Sequence, residues 1–139
     1  MRQSKTSAGQ QSTEPEFFID RCLGVRTAAA LAEAQWRVHR IADHFPADEH
    51  TSDPDWIRFG VGKGWALLTQ DQRIRYHEDE LAAVAECGGV MFVLANGNLT
   101  IDQRIGWLCA DRSAIFAAAV RKAPALDKIY PERIAKIWP

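Results

Sequence analysis

Three aspartates stand where they could do chemistry together. Asp20 closes the apolar run Phe17-Phe18-Ile19, Asp71 follows Trp65-Ala66-Leu67-Leu68-Thr69-Gln70, and Asp53 precedes Pro54-Asp55-Trp56. Short apolar runs of this kind, bounded by Gly64 and polar turns, read as strands buried on both faces, the unit of parallel sheets. An acid just past such a strand lies in the crevice outside the carboxyl ends of the strands, where open α/β sheets bind ligands. If the two strands are near neighbours, their carboxylates converge on one rim. Three carboxylates within about 5 Å of one another repel by roughly 3 kcal/mol per pair at an effective dielectric near 20, on the order of 10 kcal/mol in all. Such crowding requires either protonation or a divalent cation. Hard oxygen ligands, with no Cys or paired His nearby, select magnesium or manganese over zinc. One or two such ions bridge to phosphate oxygens and activate water for in-line attack on a phosphodiester.

Each of these residues also has a purely structural reading. Asp53 before Pro54 is a good N-cap for a helix with Pro at its first position. Asp20 can simply open a turn, and Thr69 can be a β-branched strand residue. Arg73 and Arg75, just past Asp71, can hold substrate phosphates or be solvated loop charges. His39, His44, His50 and His77 lack the i, i+4 spacing of a zinc pair, and His44 with His50 in one loop is a weak metal signal.

The elements that must position these groups follow from pattern and punctuation. The first strand is Phe17 to Asp20, followed by a helix over about Arg26 to Ala34 with three consecutive alanines. Gln35 to Ile41 alternates as a second strand. The loop from His44 to Ser52 leads into a short helix that Gly64 ends. Trp65 to Thr69 is the third strand. Glu78-Asp79-Glu80 place acids at the positive end of a helix through Glu86, stopped by Gly88-Gly89. Val90 to Ala95 is the fourth strand. Thr100 and Gln103 have capping-box spacing, and a stripe through Ile101, Ile105, Leu108, Phe116, Ala119 and Val120 predicts one long helix up to Pro124. Leu126 to Trp138 reads as an edge strand or irregular packing. The alternation of strand and helix predicts a three-layer α/β/α fold with a mostly parallel sheet of four or five strands.

Composition sets the bounds. A chain of 139 residues, 47% hydrophobic and 25% charged, suits one domain with its own core. Residues 1–15 are polar with no apolar core of a signal peptide, and are expected to be a disordered lead-in to a domain over 16–139. A net charge of -1 gives no overall footprint for nucleic acid, but its distribution is uneven. Nine acids between Asp43 and Glu80 face four basic residues, whereas seven basic residues between Arg104 and Lys136 face three acids. An acidic centre beside a basic flank suits a polyanion held at its edges around a central cation, and equally suits two solvated faces. Cys22, Cys87 and Cys109, odd in number and without CxxC spacing, are expected to be reduced cytoplasmic thiols. No apolar run approaches the roughly 20 residues that span a bilayer.

The order of these features, Asp20 at a strand end, then Asp53-Pro54-Asp55-Trp56-Ile57, then Gly64 to Asp71 with Arg73-Ile74-Arg75 behind it, resembles the PIN-like domains of VapC-type toxins. The likeness covers roughly Phe17 to Val120 and is most specific from Asp53 to Arg75. It implies a magnesium- or manganese-dependent endoribonuclease that is the toxin of a toxin-antitoxin pair and is inhibited by a cognate antitoxin. It further implies that Asp20, Asp53 and Asp71 hold the metal, that Thr69 orients the neighbouring carboxylate, and that RNA phosphodiesters are cut by metal-activated water. A homodimer in the cytoplasm is compatible with this reading. PIN nucleases usually carry a fourth acid; Glu80, Asp79 and Asp102 are all candidates. Two alternatives stand beside it: a phosphoacceptor receiver-like module using Asp71 or Asp20, and a degenerate PIN fold that only binds partners. A receiver usually has paired acids at its first strand and a Lys after a late strand, and this sequence has neither.

Overall fold

The computed structural model describes residues 14–44, 53–71, 78–121 and 124–138. In chain order these form β1 (Glu16–Ile19), a 3-10 turn (Arg21–Leu23), α1 (Val25–Glu33), β2 (Arg37–Arg40), the single turn α2 (Ile41–His44) and α3 (Asp53–Gly62). There follow β3 (Ala66–Thr69), α4 (Glu78–Cys87), β4 (Val90–Leu94), α5 (Ile101–Ala110), α6 (Arg112–Ala119), β5 (Ala125–Ile129) and β6 (Ile134–Trp138).

One sheet carries all six strands in the order β2-β1-β3-β4-β5-β6. The first five are parallel and only β6 runs antiparallel to its neighbour. The sheet thus has one more strand than the upper expectation, because the C-terminal segment folds into a β5–β6 hairpin. Its Ala125 and Leu126 are fully buried and so complete the sheet instead of packing irregularly.

Two layers of helix cover the sheet, as expected of near-continuous apolar strands. On one face Phe17, Ile19, Ala66, Leu68 and Phe92 pack against α1, α5 and α6. On the other, Phe18, Leu67, Met91 and Val93 pack against Trp56 and Ile57 of α3 and Ala83 and Val84 of α4. The period-2 alternation of each strand sorts its residues between these two cores. Gly60 lets α3 approach closely. A Cβ there would stand 2.6 Å from a ring carbon of Phe18 and 2.7 Å from a methyl of Leu67.

The predicted long helix is two helices. Thr100 and Gln103 form the expected capping box at the start of α5. The break falls at Asp111 (φ -100°, ψ 12°), which is buried beside Leu108, Ile115 and Ala118 on the inward stripe. Its Oδ2 has no hydrogen-bond partner. A carboxylate on the inward face is poorly accommodated: burial, and then the charge of Glu132, push its pKa up.

Candidate metal centre at the carboxyl edge of the sheet

β1 and β3 are adjacent and in register, Phe17 beside Ala66 and Ile19 beside Leu68. One step on, the Asp20 amide donates to the Leu68 carbonyl at 3.0 Å, which sets Asp20 next to Thr69. The Thr69 side chain, 1% exposed, is buried. Its hydroxyl donates to Oδ2 of Asp20 at 2.7 Å and accepts from the Asp71 amide at 3.1 Å. A single hydroxyl therefore joins the two strand-end acids, fixing one carboxylate directly and the other residue through its backbone. Alternation explains the direction. Thr69 follows Leu67, two residues on, toward the face covered by α3 and α4.

A further clamp comes from the turn after β1. Gln70 Nε2 donates to the Cys22 carbonyl at 2.8 Å, strapping Arg21–Leu23 to the end of β3. The Cys22 sulfur stands 3.4 Å from Oδ2 of Asp20 and 3.5 Å from the Thr69 hydroxyl. Because the hydroxyl proton is given to Asp20, the thiol is the donor in this group. The residue as a whole is exposed, yet its sulfur is turned onto polar atoms of the crevice. Desolvation there, then the charge of Asp20, push the thiol up to about 11, so it is neutral at ordinary pH.

Asp53 is the first residue of α3. The helix ends at Gly62 and the Trp65 amide bonds back to the Gly60 carbonyl, so its far end leads into the amino end of β3. A ten-residue helix rises about 15 Å. Its first residue therefore stands at the carboxyl edge, on the same face as Thr69. The Asp53 side chain itself lies outside the described residues. So do Arg73 and Arg75, the histidines at 50 and 77, and the first thirteen residues of the expected lead-in.

Among the three candidates for a fourth acid, the structure separates one. Glu80 is 4% exposed and lies on the inward stripe of α4 with Ala83 and Val84, one turn from the carboxyl edge. Asp79 and Asp102 are exposed.

Among the described residues no group of three or more His, Cys, Asp or Glu side chains is assembled that could hold a metal. The donor chemistry that is present fits a hard divalent cation. Among the described residues the Asp20 carboxylate and the Thr69 hydroxyl face the crevice, and the Cys22 sulfur beside them is held as a neutral thiol, a poor ligand.

Sequence reasoning brought Asp20, Thr69 and Asp71 to one edge, and the structure joins them. It missed Cys22 and Gln70. Asp-x-Cys after a strand was the available signal, but only the fold of the 3-10 turn turns that sulfur back.

The strand order reverses between β1 and β3, where connections leave in opposite directions along the sheet. Such a switch point opens a ligand crevice in doubly wound sheets, and here it holds the Asp20–Thr69–Asp71 group. The class is therefore an open, doubly wound α/β sheet with an acidic strand-end site. The family model of the PIN like domain matches residues 15–96, more than half of the chain, and the chain belongs to that family. PIN-like domains are usually nucleases. No curated protein and no solved structure matches the chain.

Proposed function

We propose that this chain is a magnesium- or manganese-dependent endoribonuclease, the toxin of a toxin-antitoxin pair, held inactive in the cytoplasm by a cognate antitoxin that covers the carboxyl edge. The observation that carries the nuclease reading is the Thr69 hydroxyl bridging Asp20 and Asp71 at the switch point of the sheet. Asp20, Asp53 and Asp71 are the metal ligands in this reading, and Glu80, buried on the same face, is the fourth acid. When bound, the cation supplies an activated water and neutralises charge on the scissile phosphate. Thr69 holds the Asp20 carboxyl group oriented by donating to it. Arg73 and Arg75 follow Asp71 directly and are assigned to the phosphates flanking the cut. The toxin role rests on the resemblance of the segment from Asp53 to Arg75 to VapC-type toxins.

Asp71→Asn is expected to abolish divalent-dependent cleavage of RNA, with a far-UV circular dichroism spectrum and thermal midpoint like those of the parent. Full activity in that variant removes the site assignment. Co-purification with a small DNA-binding protein encoded beside it tests the antitoxin part separately.

A further inference from the structure

Beside the acidic crevice lies a recess of about 110 Å³ at the carboxyl ends of β1 and β2, with Asp20 on its rim. Ile19, Val25 and Ile41 form its apolar wall and Arg40 lines it as well. Two features distinguish it from an ordinary surface dent. Val25 is 59% exposed, one of two large apolar side chains so exposed among the described residues. Arg40 is held at two points by Asp43, Nη2 to Oδ1 at 2.7 Å and Nε to Oδ2 at 3.3 Å. A fork-on-fork pair of this kind fixes the plane of a guanidinium.

That pairing decides what Arg40 can do. Its charge is already matched by Asp43, so it is a poor anchor for a phosphate. Its planar face remains suited to stacking, which a guanidinium does well and an ammonium does not. The volume lies below the 300 Å³ or more of pockets that enclose whole small molecules. One ring fits, with the rest of its chain outside. Adjacent strands lie about 5 Å apart, so this recess, one strand over from the β1–β3 crevice, is within reach of the neighbouring nucleotide.

We propose that the recess is a base subsite: it takes one unstacked base of single-stranded RNA, packed between Val25 and the Arg40 guanidinium, next to the phosphate at Asp20. Unpaired bases splayed onto aromatic or guanidinium planes are the usual basis of sequence-specific reading of RNA. The proposal rests on the nuclease reading and adds a positional preference for single-stranded substrate.

The test measures binding of a short fluorescent single-stranded RNA to the full chain, with calcium in place of magnesium, against the same backbone carrying abasic riboses. Stacking of one base corresponds to a preference of about tenfold. The parent chain is expected to prefer the base-bearing strand by that factor. Arg40→Lys, which keeps the charge opposite Asp43 but loses the plane, and Val25→Ser, at an exposed position, should each bring the ratio toward one. Neither should alter binding of the abasic strand. An unchanged ratio in both variants, or equal weakening of both strands, overturns the subsite. A parent chain that cleaves RNA with a divalent ion yet shows no base preference loses the subsite and keeps the nuclease reading. A parent chain that neither binds nor cleaves RNA loses both.

Discussion

The hydroxyl of Thr69 does two things at once that no apolar isostere can do. Replacing it by valine leaves the Asp20 carboxylate without a 2.7 Å donor and the Asp71 amide without an acceptor. Partners that orient a metal ligand are worth about 10–100-fold in metal affinity or activity. Thr69→Val is therefore expected to lose RNA cleavage in that range while Thr69→Ser keeps it, measured as kcat/KM at saturating manganese. Equal activity of the valine and serine variants would show the hydroxyl to be incidental.

Cys22 gives a pH-dependent handle on the same group. Its thiol pKa is raised to about 11, above the ordinary 9.0. A raised pKa means the folded state holds the proton more tightly than the unfolded one. The associated stability is present below about pH 9 and is lost as the pH climbs through about 11. At pH 8.5 with chelator present, Cys22 should be alkylated far more slowly than Cys87 and Cys109. Asp20→Asn should speed it, since the Asp20 charge is the second cause after burial. Labelling of all three cysteines at one rate would contradict the geometry. The sequence marked Asp20, Thr69 and Asp71 because each sits at the end of an apolar run. It could not mark Cys22, whose part depends on how the 3-10 turn folds back.

At the scale of elements, α3 is pinned to the sheet by the absence of a side chain at Gly60. The atoms a methyl would meet there, on Phe18 and Leu67, belong to side chains with no exposure, so they have little room to yield. Overpacking of a dense core costs about 1–3 kcal/mol. Gly60→Ala is expected to lower the thermal midpoint by several degrees and, by tilting α3, to weaken manganese binding through Asp53. A midpoint equal to the parent's would mean that α3 packs more loosely than described.

The elements themselves were largely legible. β1, β3 and β4 were announced by apolar runs with a Gly or an acid at one end, β2 by alternation, and α5 by its capping box. What was not legible depended on tertiary context. The stripe across residues 101–120 reads as a single helix, and only the burial of Asp111 shows where it breaks. The last segment was half legible: Leu126 to Trp138 reads as one edge strand or irregular packing, and its division into β5 and β6 is hidden because an edge strand among basic residues needs little apolar surface. Its Lys136 is exposed, as edge strands that avoid further pairing usually require.

For the whole molecule, the reading that most needs separating from a nuclease is a PIN fold that only binds partners. Strand order cannot separate them, since both share it. Mass action can. An ion that binds only the folded state, present at about 100 times its Kd, adds about 2.7 kcal/mol, or several degrees in Tm for a domain of this size. Manganese is expected to raise the midpoint of the parent chain by that amount and to raise that of Asp20→Asn far less. An identical response from the two, or none from either, would favour the binding module. Strand order was also beyond the sequence, yet it decides the site: had β3 not paired with β1, Asp20 and Asp71 would have no common hydroxyl.

Because β6 reverses direction, the described chain both enters and leaves on the side of the sheet away from its acidic rim: Glu16 begins β1 there, and Trp138 returns beside Leu126. A reporter joined next to Glu16 or Trp138 therefore sits across the sheet from the acidic rim, which is left facing outward.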